Sequence, residues 1–329
     1  MDDISEDRNQ IAKTVHIIPL GFEVERVLAP FSNRHPDKVI LVINNKEPVR
    51  KENEEEKESL LEKQKRYTDK VKTKLKARGV EVVPEYVNSF DLGELIHKLS
   101  SLIIQEKAAG NTVYINASSS GRFASIAAAF AGMAHNVKVY YVVADGYSNS
   151  EADIEKFGVS RCTCEHPVVE IIPNFQLNLP NDVERLILEL LYVTKINNPL
   201  KEEKHWVLLK DIGKFLHIAD SEKFPWDPVE NPKKKHNNNN KAKESKSPGY
   251  VEYRDMQSNF SNKFQVIARS LQERNYLERK EHEKKNVSYR ITQSGEYALY
   301  LSGLSGLITY DGKGVHYLPS EGEGAEKKE

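Results

Sequence analysis

Two short stretches of this sequence carry the residue types that grip an anion. The first is Gly21-Phe22-Glu23, running into Arg26; the second is Asn116-Ala117-Ser118-Ser119-Ser120-Gly121-Arg122, running into a small-residue helix, ASIAAAFAG. Consecutive small residues let backbone N–H groups turn toward an anion, and the following helix N-terminus adds partial positive charge. Three hydroxyls and an Arg can then complete a phosphate cradle. This is binding chemistry, with no obvious catalytic constellation. The alternative for the same residues is a tight strand-to-helix connection with a Ser cap. No G-x-G-x-x-G follows the first strand and no G-x-x-x-x-G-K-[ST] occurs, which demotes a nicotinamide dehydrogenase and a P-loop NTPase.

The elements that must position these loops alternate in type. Residues 14–20 (TVHIIPL) form a β-branched apolar run, and a helical pattern from 23 to 34 follows. The alternation repeats as 38–44, a charged helix over 53–78, 80–87, a helix over 91–107, 112–116, a helix over 120–134, and 137–143. Five apolar runs separated by helices predict an α/β fold, a Rossmann-like doubly wound parallel sheet with helices on both faces. The long helix has Leu60, Leu61, Val71 and Leu75 as its sparse apolar stripe. Residues 167–173 add an edge strand. In such a sheet ligands sit beyond the strand carboxyl ends where the winding reverses, here between the first and fourth strands, and the two loops above lie there.

From Asp182 the pattern changes. Residues 182–196 and 207–216 read as amphipathic helices with no strand between them, and 221–250, rich in Pro, Lys and Asn, reads as a disordered insertion. Over 258–275, Phe260, Phe264, Ile267, Ala268 and Leu271 make one helical face, with Asn259, Asn262, Val266, Arg269 and Ser270 opposite. Two strands with a charged turn, EHEKK, follow, and then a helix introduced by Ser294-Gly295. Helices followed by a basic-tipped hairpin predict a C-terminal winged helix-turn-helix. Asn259, Asn262, Lys263 and Arg269 are then placed for double-stranded DNA, and Arg279, Lys280, Lys284, Lys285 and Arg290 for its phosphates. A winged helix used only for protein contact is the alternative.

The charge balance supports the DNA reading. The chain of 329 residues has 48 Lys and Arg against 49 Asp and Glu, yet residues 232–292 hold 15 against 7, leaving 33 against 42 elsewhere. Near-neutrality is therefore the cancellation of an acidic part against a basic segment. Cys162 and Cys164 are too few for a disulfide framework, and with His166 they lack a fourth ligand for a structural zinc; no metal and no cofactor is expected. No run approaches the roughly 18 apolar residues of a membrane span, and the acidic start MDDISEDRNQ is unlike a signal peptide, so the expectation is a cytoplasmic protein without membrane contact. His16, inside the first strand, reads as a packed or hydrogen-bonded residue, and His97 and His135 receive no role.

Taken together, VHIIPLGFEVERVLAP (15–30), NASSSGRFAS (116–125) and RSLQERNYLERKEHEKKNVSYRITQSGEYAL (269–299) resemble the archaeal CARF-domain winged-helix transcription regulators, in which a CRISPR-associated Rossmann-fold sensor precedes a DNA-binding domain. The resemblance implies a sensor at 1–175, a winged helix-turn-helix at 176–318 and an acidic disordered tail at 319–329. It further implies a homodimer whose loops form a two-fold pocket for a cyclic oligoadenylate or related nucleotide. The ligand-binding positions are then Gly21, Phe22, Glu23, Arg26, Asn116, Ser118, Ser119, Ser120, Gly121 and Arg122. The insertion at 221–250 departs from the pattern. Alternatives are a ring nuclease that slowly cleaves the cyclic ligand, and a regulator of the same architecture responding to another phosphorylated metabolite. Arg274 and His282 are too widely spaced for the HEPN ribonuclease pair, so a nuclease effector is not expected.

Overall fold

Strand β1 (Thr14–Leu20) and its neighbour β2 (Lys38–Asn44) are buried along almost their whole length, because helices cover both faces of the sheet they occupy. The computed structural model describes residues 12–32, 35–47, 59–147, 162–164, 166, 168–175, 177–219, 263–282, 287–306, 308–310 and 315–317. Within the unit Met1–Leu179 the chain continues through β3 (Glu81–Val87), β4 (Thr112–Asn116) and β5 (Lys138–Val143). A two-residue ribbon, β6 (Gly146–Tyr147) with β7 (Cys162–Thr163), precedes β8 (Val168–Ile172). The sheet order is β3-β2-β1-β4-β5-β8. The first five strands are parallel and β8 runs antiparallel along β5 at the edge. The order reverses between β1 and β4, so this is a Rossmann-like doubly wound sheet with its switch point there.

Among the described residues, the helices that connect the strands are α1 (Glu25–Leu28), α2 (Leu60–Lys76), α3 (Leu92–Ala108) and α4 (Arg122–His135). On one face, Ile18, Leu20, Val39, Leu41 and Ile43 pack with Val24, Val27, Phe31, Tyr67, Val71 and Leu75 of the α1 and α2 segments. Helix α2 starts at a capping box, with Ser59 and Glu62 each accepting from the other's backbone N–H, and α3 starts at Asp91, which accepts from Glu94 N–H. The expected stripe of α2 is corrected at its start: Gln64, Tyr67 and Thr68 are buried with Val71 and Leu75, while Leu60 and Leu61 are only partly buried. The part of this helix expected before residue 59 lies outside the described residues.

Helix α1 is four residues long instead of the twelve expected, and passes into a 3-10 turn, Ala29–Phe31. Pro30 is the reason. It has no N–H to return to the carbonyl of Arg26, so the α-helical ladder cannot continue through it. That carbonyl instead accepts Asn116 Nδ2 at 3.0 Å, which ties the first helix to the end of β4.

In the unit Pro180–Glu329, α5 (Asp182–Ile196) begins at a capping box made by Asn181 and Glu184. Two helices with no strand between them were expected here. Instead Val207 and Leu208 form β9, pairing with Tyr289 and Ser288, and α6 spans Leu209–Ala219. A helix over 263–273, α7, follows, and then β10 (Leu277–Glu281), β11 (Val287–Ile291), α8 (Gln293–Ser302) and a small hairpin, β12 (Ile308–Tyr310) with β13 (Val315–Tyr317). The strands β10, β11 and β9 form one antiparallel sheet. Its core gathers Ile187, Leu188, Leu191, Ile212, Leu216, Phe264, Ala268, Leu271, Tyr289, Ile291 and Leu299.

Candidate ligand cleft

The parallel pairing of β1 and β4 brings their carboxyl ends side by side, and with them the two small-residue loops. Gly21 N–H donates to the Ser119 carbonyl at 2.7 Å. A Cβ on Gly21 would stand 3.0 Å from that oxygen and 3.1 Å from Ser120 Cα, both backbone atoms, so the approach requires glycine. Three further ties fix the loops. Gln64 of α2 donates Nε2 to the carbonyls of Leu20 (3.0 Å) and Gly21 (3.5 Å), Ser119 Oγ donates to Pro19 O at 2.8 Å, and Ser125 Oγ donates to Ala117 O at 2.7 Å.

Beneath the loop lies a buried polar chain. Asn116 Oδ1 accepts Ser118 N–H at 2.9 Å and Ser118 Oγ at 2.5 Å. Tyr140 hydrogen-bonds Asn116, and its hydroxyl lies 2.9 Å from His16 Nδ1. Burial drives the Tyr140 phenol far above its usual range, so it remains a donor, and pushes His16 down to about 4, so that imidazole is neutral at pH 7. His16 is packed between Phe31, Tyr114 and Tyr140, a structural position and not that of an exposed base.

The loops open onto a cleft of about 520 Å³. Of the ten sequence-derived positions, Gly21, Phe22, Glu23, Ser119, Ser120, Gly121 and Arg122 line it. Arg26, Asn116 and Ser118 do not: all three are buried and spent on the protein itself. Arg26 donates to Ser118 O (3.2 Å) and Tyr147 Oη (2.6 Å) and lies over the rings of Tyr141 and Tyr147. Their part is to hold the loop in shape. Helix α4 begins at Gly121 with no side-chain cap, and its first residues, Arg122 to Ala124, are in the cleft wall. Uncapped N–H groups beside an Arg and Ser hydroxyls suit a phosphate or another anion.

Sequence reasoning missed Asn44, Gln64, Ser89, Phe90 and Phe123, which also line the cleft. Signals for two of them were present. Asn44 ends the apolar run of β2 at the same edge of the sheet, where it accepts Ser89 N–H at 3.0 Å. Gln64 stands three, seven and eleven residues before Tyr67, Val71 and Leu75, on the buried stripe of α2.

The second set of candidate residues lies on α7 and the β10–β11 hairpin. Lys263, Val266 and Arg269 are exposed on α7, opposite buried Phe264, Ala268 and Leu271. Ser270 departs from the expected outer face, since its hydroxyl faces Glu184 and Arg274, which form an ion pair. On the hairpin, Arg279 pairs with Glu281 and Arg290 with Glu278, each at 2.7 Å, while Lys280 and Arg290 stand over the Trp206 ring at 5.6 and 4.9 Å. Exposed pairs of this kind are worth about 0–1 kcal/mol and yield readily to another anion. Asn259, Asn262, Lys284, Lys285, the 221–250 insertion and the 319–329 tail lie outside the described residues.

The N-terminal unit is thus an α/β domain with a Rossmann-like sheet and a cleft at its switch point. The family described as "HFX_2341_N:-like, N-terminal" matches residues 14–147, which run from the first residue of β1 to the last of β6 and include both loops of the cleft. Comparison with curated proteins gave no match. Among solved structures, the chain is similar to Enterococcus italicus Csm6 bound to cyclic hexa-2'-fluoro-hexa-dAMP, at 12% identity over 65% of this chain and 52% of that one, with a TM-score of 0.36. Can2 from Sulfobacillus thermosulfidooxidans in complex with cyclic tetra-adenylate matches at 12% identity, 67% and 55% coverage and a TM-score of 0.32. Protein VC1899 from Vibrio cholerae matches at 12%, 88% and 65%, with a TM-score of 0.33. The chain spans little more than half the length of the first two of these. No described helix is long and apolar enough to cross a membrane, and no group of three or more metal-ligating side chains occurs among the described residues.

Proposed function

We propose that this chain is a ligand-responsive DNA-binding regulator, with a CARF-type sensor that binds a cyclic oligoadenylate or related nucleotide at the β1/β4 cleft. The observation that carries the reading is the junction itself. The Gly21 loop and the Ser118–Gly121 loop are locked together at the switch point, and an uncapped helix start, Ser120 and Arg122 line the opening beside them. Repeated N–H and hydroxyl donors match a ring of phosphodiesters. Two of the three resembling motifs, 15–30 and 116–125, build the cleft.

A ring of four or more nucleotides exceeds one cleft of about 520 Å³, so the site is half of a two-fold one. Helix α4 supplies a surface for the second copy. Phe123, Ile126 and Phe130 are 50%, 44% and 43% exposed and recur at helical spacing from the cleft rim outward. The C-terminal unit is read as a winged helix, with α7 as the helix that enters the major groove and β10–β11 as the wing. A two-fold dimer then presents two such helices to a pseudo-palindromic site. Cyclic ligand and operator are coupled only through the arrangement of the two subunits that the ligand prefers.

The test is a thermal-shift and calorimetric titration with cyclic tetra-adenylate, cyclic hexa-adenylate and AMP. A concentration-dependent rise with one ring per two chains, diminished by Arg122→Ala, is expected. A shift with AMP and none with either ring would replace the proposal by the phosphorylated-metabolite reading. Binding without turnover is proposed, so cyclic tetra-adenylate should be recovered intact after prolonged incubation. For DNA, a salt-titrated binding assay should show Arg269→Ala losing sequence discrimination and Lys284→Ala losing affinity uniformly, with a salt slope smaller by about 1. Wild-type behaviour of both variants would remove the DNA assignment.

A further inference from the structure

The Pro180–Glu329 unit holds a cleft of its own, about 550 Å³, inside the range of roughly 300–1,000 Å³ typical of small-molecule sites. Aromatic rings make its walls: Trp206 from the turn before β9, Phe215 from α6, and Tyr310 and Tyr317 from the β12–β13 hairpin. Phe215 and Tyr317 brace each other edge to face, with centroids 6.1 Å apart. On the α5 side the polar groups are already committed to the fold. Thr194 Oγ1 donates to Leu190 O at 2.8 Å, Asn198 Nδ2 donates to Thr194 O at 2.9 Å, and the Asn198 carbonyl lies 2.8 Å from His205 Nε2.

The other polar side chains of the lining are Lys204, Lys214, Asp211 and His316, with the hydroxyls of Tyr310 and Tyr317. Lys214 and Asp211 are 3.9 Å apart with both side chains about half exposed, a loose pair. No acidic partner of Lys204 occurs among the described residues. Two cations against one carboxylate, set around flat apolar walls, complement a flat molecule with one negative end.

We propose that this cleft is a second ligand site, taking a planar aromatic anion of about two fused rings with a carboxylate. The ring system lies among Trp206, Phe215 and Tyr317, and the carboxylate meets Lys204 and Lys214. Trp206 is also the ring on which the hairpin cations Lys280 and Arg290 rest, so an occupant sits one side chain away from the hairpin.

The test is isothermal titration of the full chain with naphthalene-2-carboxylate and its neutral isostere, naphthalene-2-carboxamide. The carboxylate should bind saturably, and the amide about tenfold more weakly, as loss of a charge-assisted bond requires. The double variant Lys204→Ala/Lys214→Ala should bind both alike, and Asp211→Asn should bind the carboxylate more tightly than the wild type. Unchanged far-UV circular dichroism of each variant establishes that it is folded. Equal affinity of wild type for acid and amide would reduce the cleft to an apolar crevice and overturn the proposal, as would the absence of saturable binding. Arg122→Ala, in the N-terminal cleft, should leave the titration unchanged, so failure of the cyclic-nucleotide reading is distinguishable from failure of this one.

Discussion

Replacing Asn116 by Ala separates two roles that this residue could have, ligand contact and loop support. The side chain is fully buried and, besides its bond with Tyr140, serves three more: Nδ2 to Arg26 O at 3.0 Å, and Oδ1 from Ser118 N–H at 2.9 Å and Ser118 Oγ at 2.5 Å. Asn116→Ala leaves a carbonyl, an N–H and a hydroxyl buried without these partners. At about 1 kcal/mol per lost bond, with more for a donor that finds no water, the N-terminal unit should lose about 3–4 kcal/mol. With an m-value of about 2 kcal/mol/M, its urea midpoint falls by roughly 1.5–2 M. Far-UV circular dichroism follows this transition. Both tryptophans, Trp206 and Trp226, lie in the other unit, so their emission supplies an internal control expected not to move. Adding Ser118→Ala to Asn116→Ala should recover about 1 kcal/mol, because the stranded hydroxyl is gone. Ser120→Ala, in the cleft wall, should change stability by less than about 0.5 kcal/mol while weakening the ligand. A loss below about 1 kcal/mol for Asn116→Ala, or one no larger than that of Ser120→Ala, would refute the supporting role.

Three further outcomes follow from the same contacts. His16 is held near 4 in the folded chain against an ordinary value near 6.5, so its contribution is complete above pH 6.5 and is lost as pH falls toward 4; about 3 kcal/mol of pH-dependent stability over that interval should vanish in His16→Phe, measured by urea midpoints against pH. Gly21→Ala forces a Cβ against two backbone atoms and should cost about 1–3 kcal/mol, a drop of several degrees by calorimetry, together with weaker ligand binding. Trp206→Leu removes the ring under Lys280 and Arg290, and at about 0.5–1 kcal/mol per cation it should lower the stability of the C-terminal unit by about 1–2 kcal/mol, measured by its urea midpoint.

The parallel sheet was legible because strands buried on both faces cannot hide their apolar runs, and the switch point follows from the order of those runs. The two loops were legible for the same reason, and seven of ten site positions do line the cleft. The other three lie outside the cleft lining because sequence gives composition and not direction: Asn116, Ser118 and Arg26 look outward-facing by chemistry but are turned inward to satisfy one another. Pro30 carried a readable sign that α1 must stop, and the apolar spacing around it masked that sign. The brief strand β9 was hidden within a helical pattern, since Val207 and Leu208 suit either state and only their partners on β11, far along the chain, select the strand.

The hydrogen bond between Ser119 and Pro19 joins residues 100 positions apart. At roughly 5–20 residues per second of synthesis, β1 waits several seconds for β4 to emerge, paired meanwhile with β2 alone. The cleft therefore closes in one late, non-local step that pays the loop entropy of the intervening strands and helices. A nascent chain released before residue 116 has three complete strands of the six and the Gly21, Asn44, Gln64 and Ser89 side of the cleft, but lacks the Ser119–Arg122 wall, so in a ribosome-arrested series binding at the cleft should switch on only once that wall has emerged.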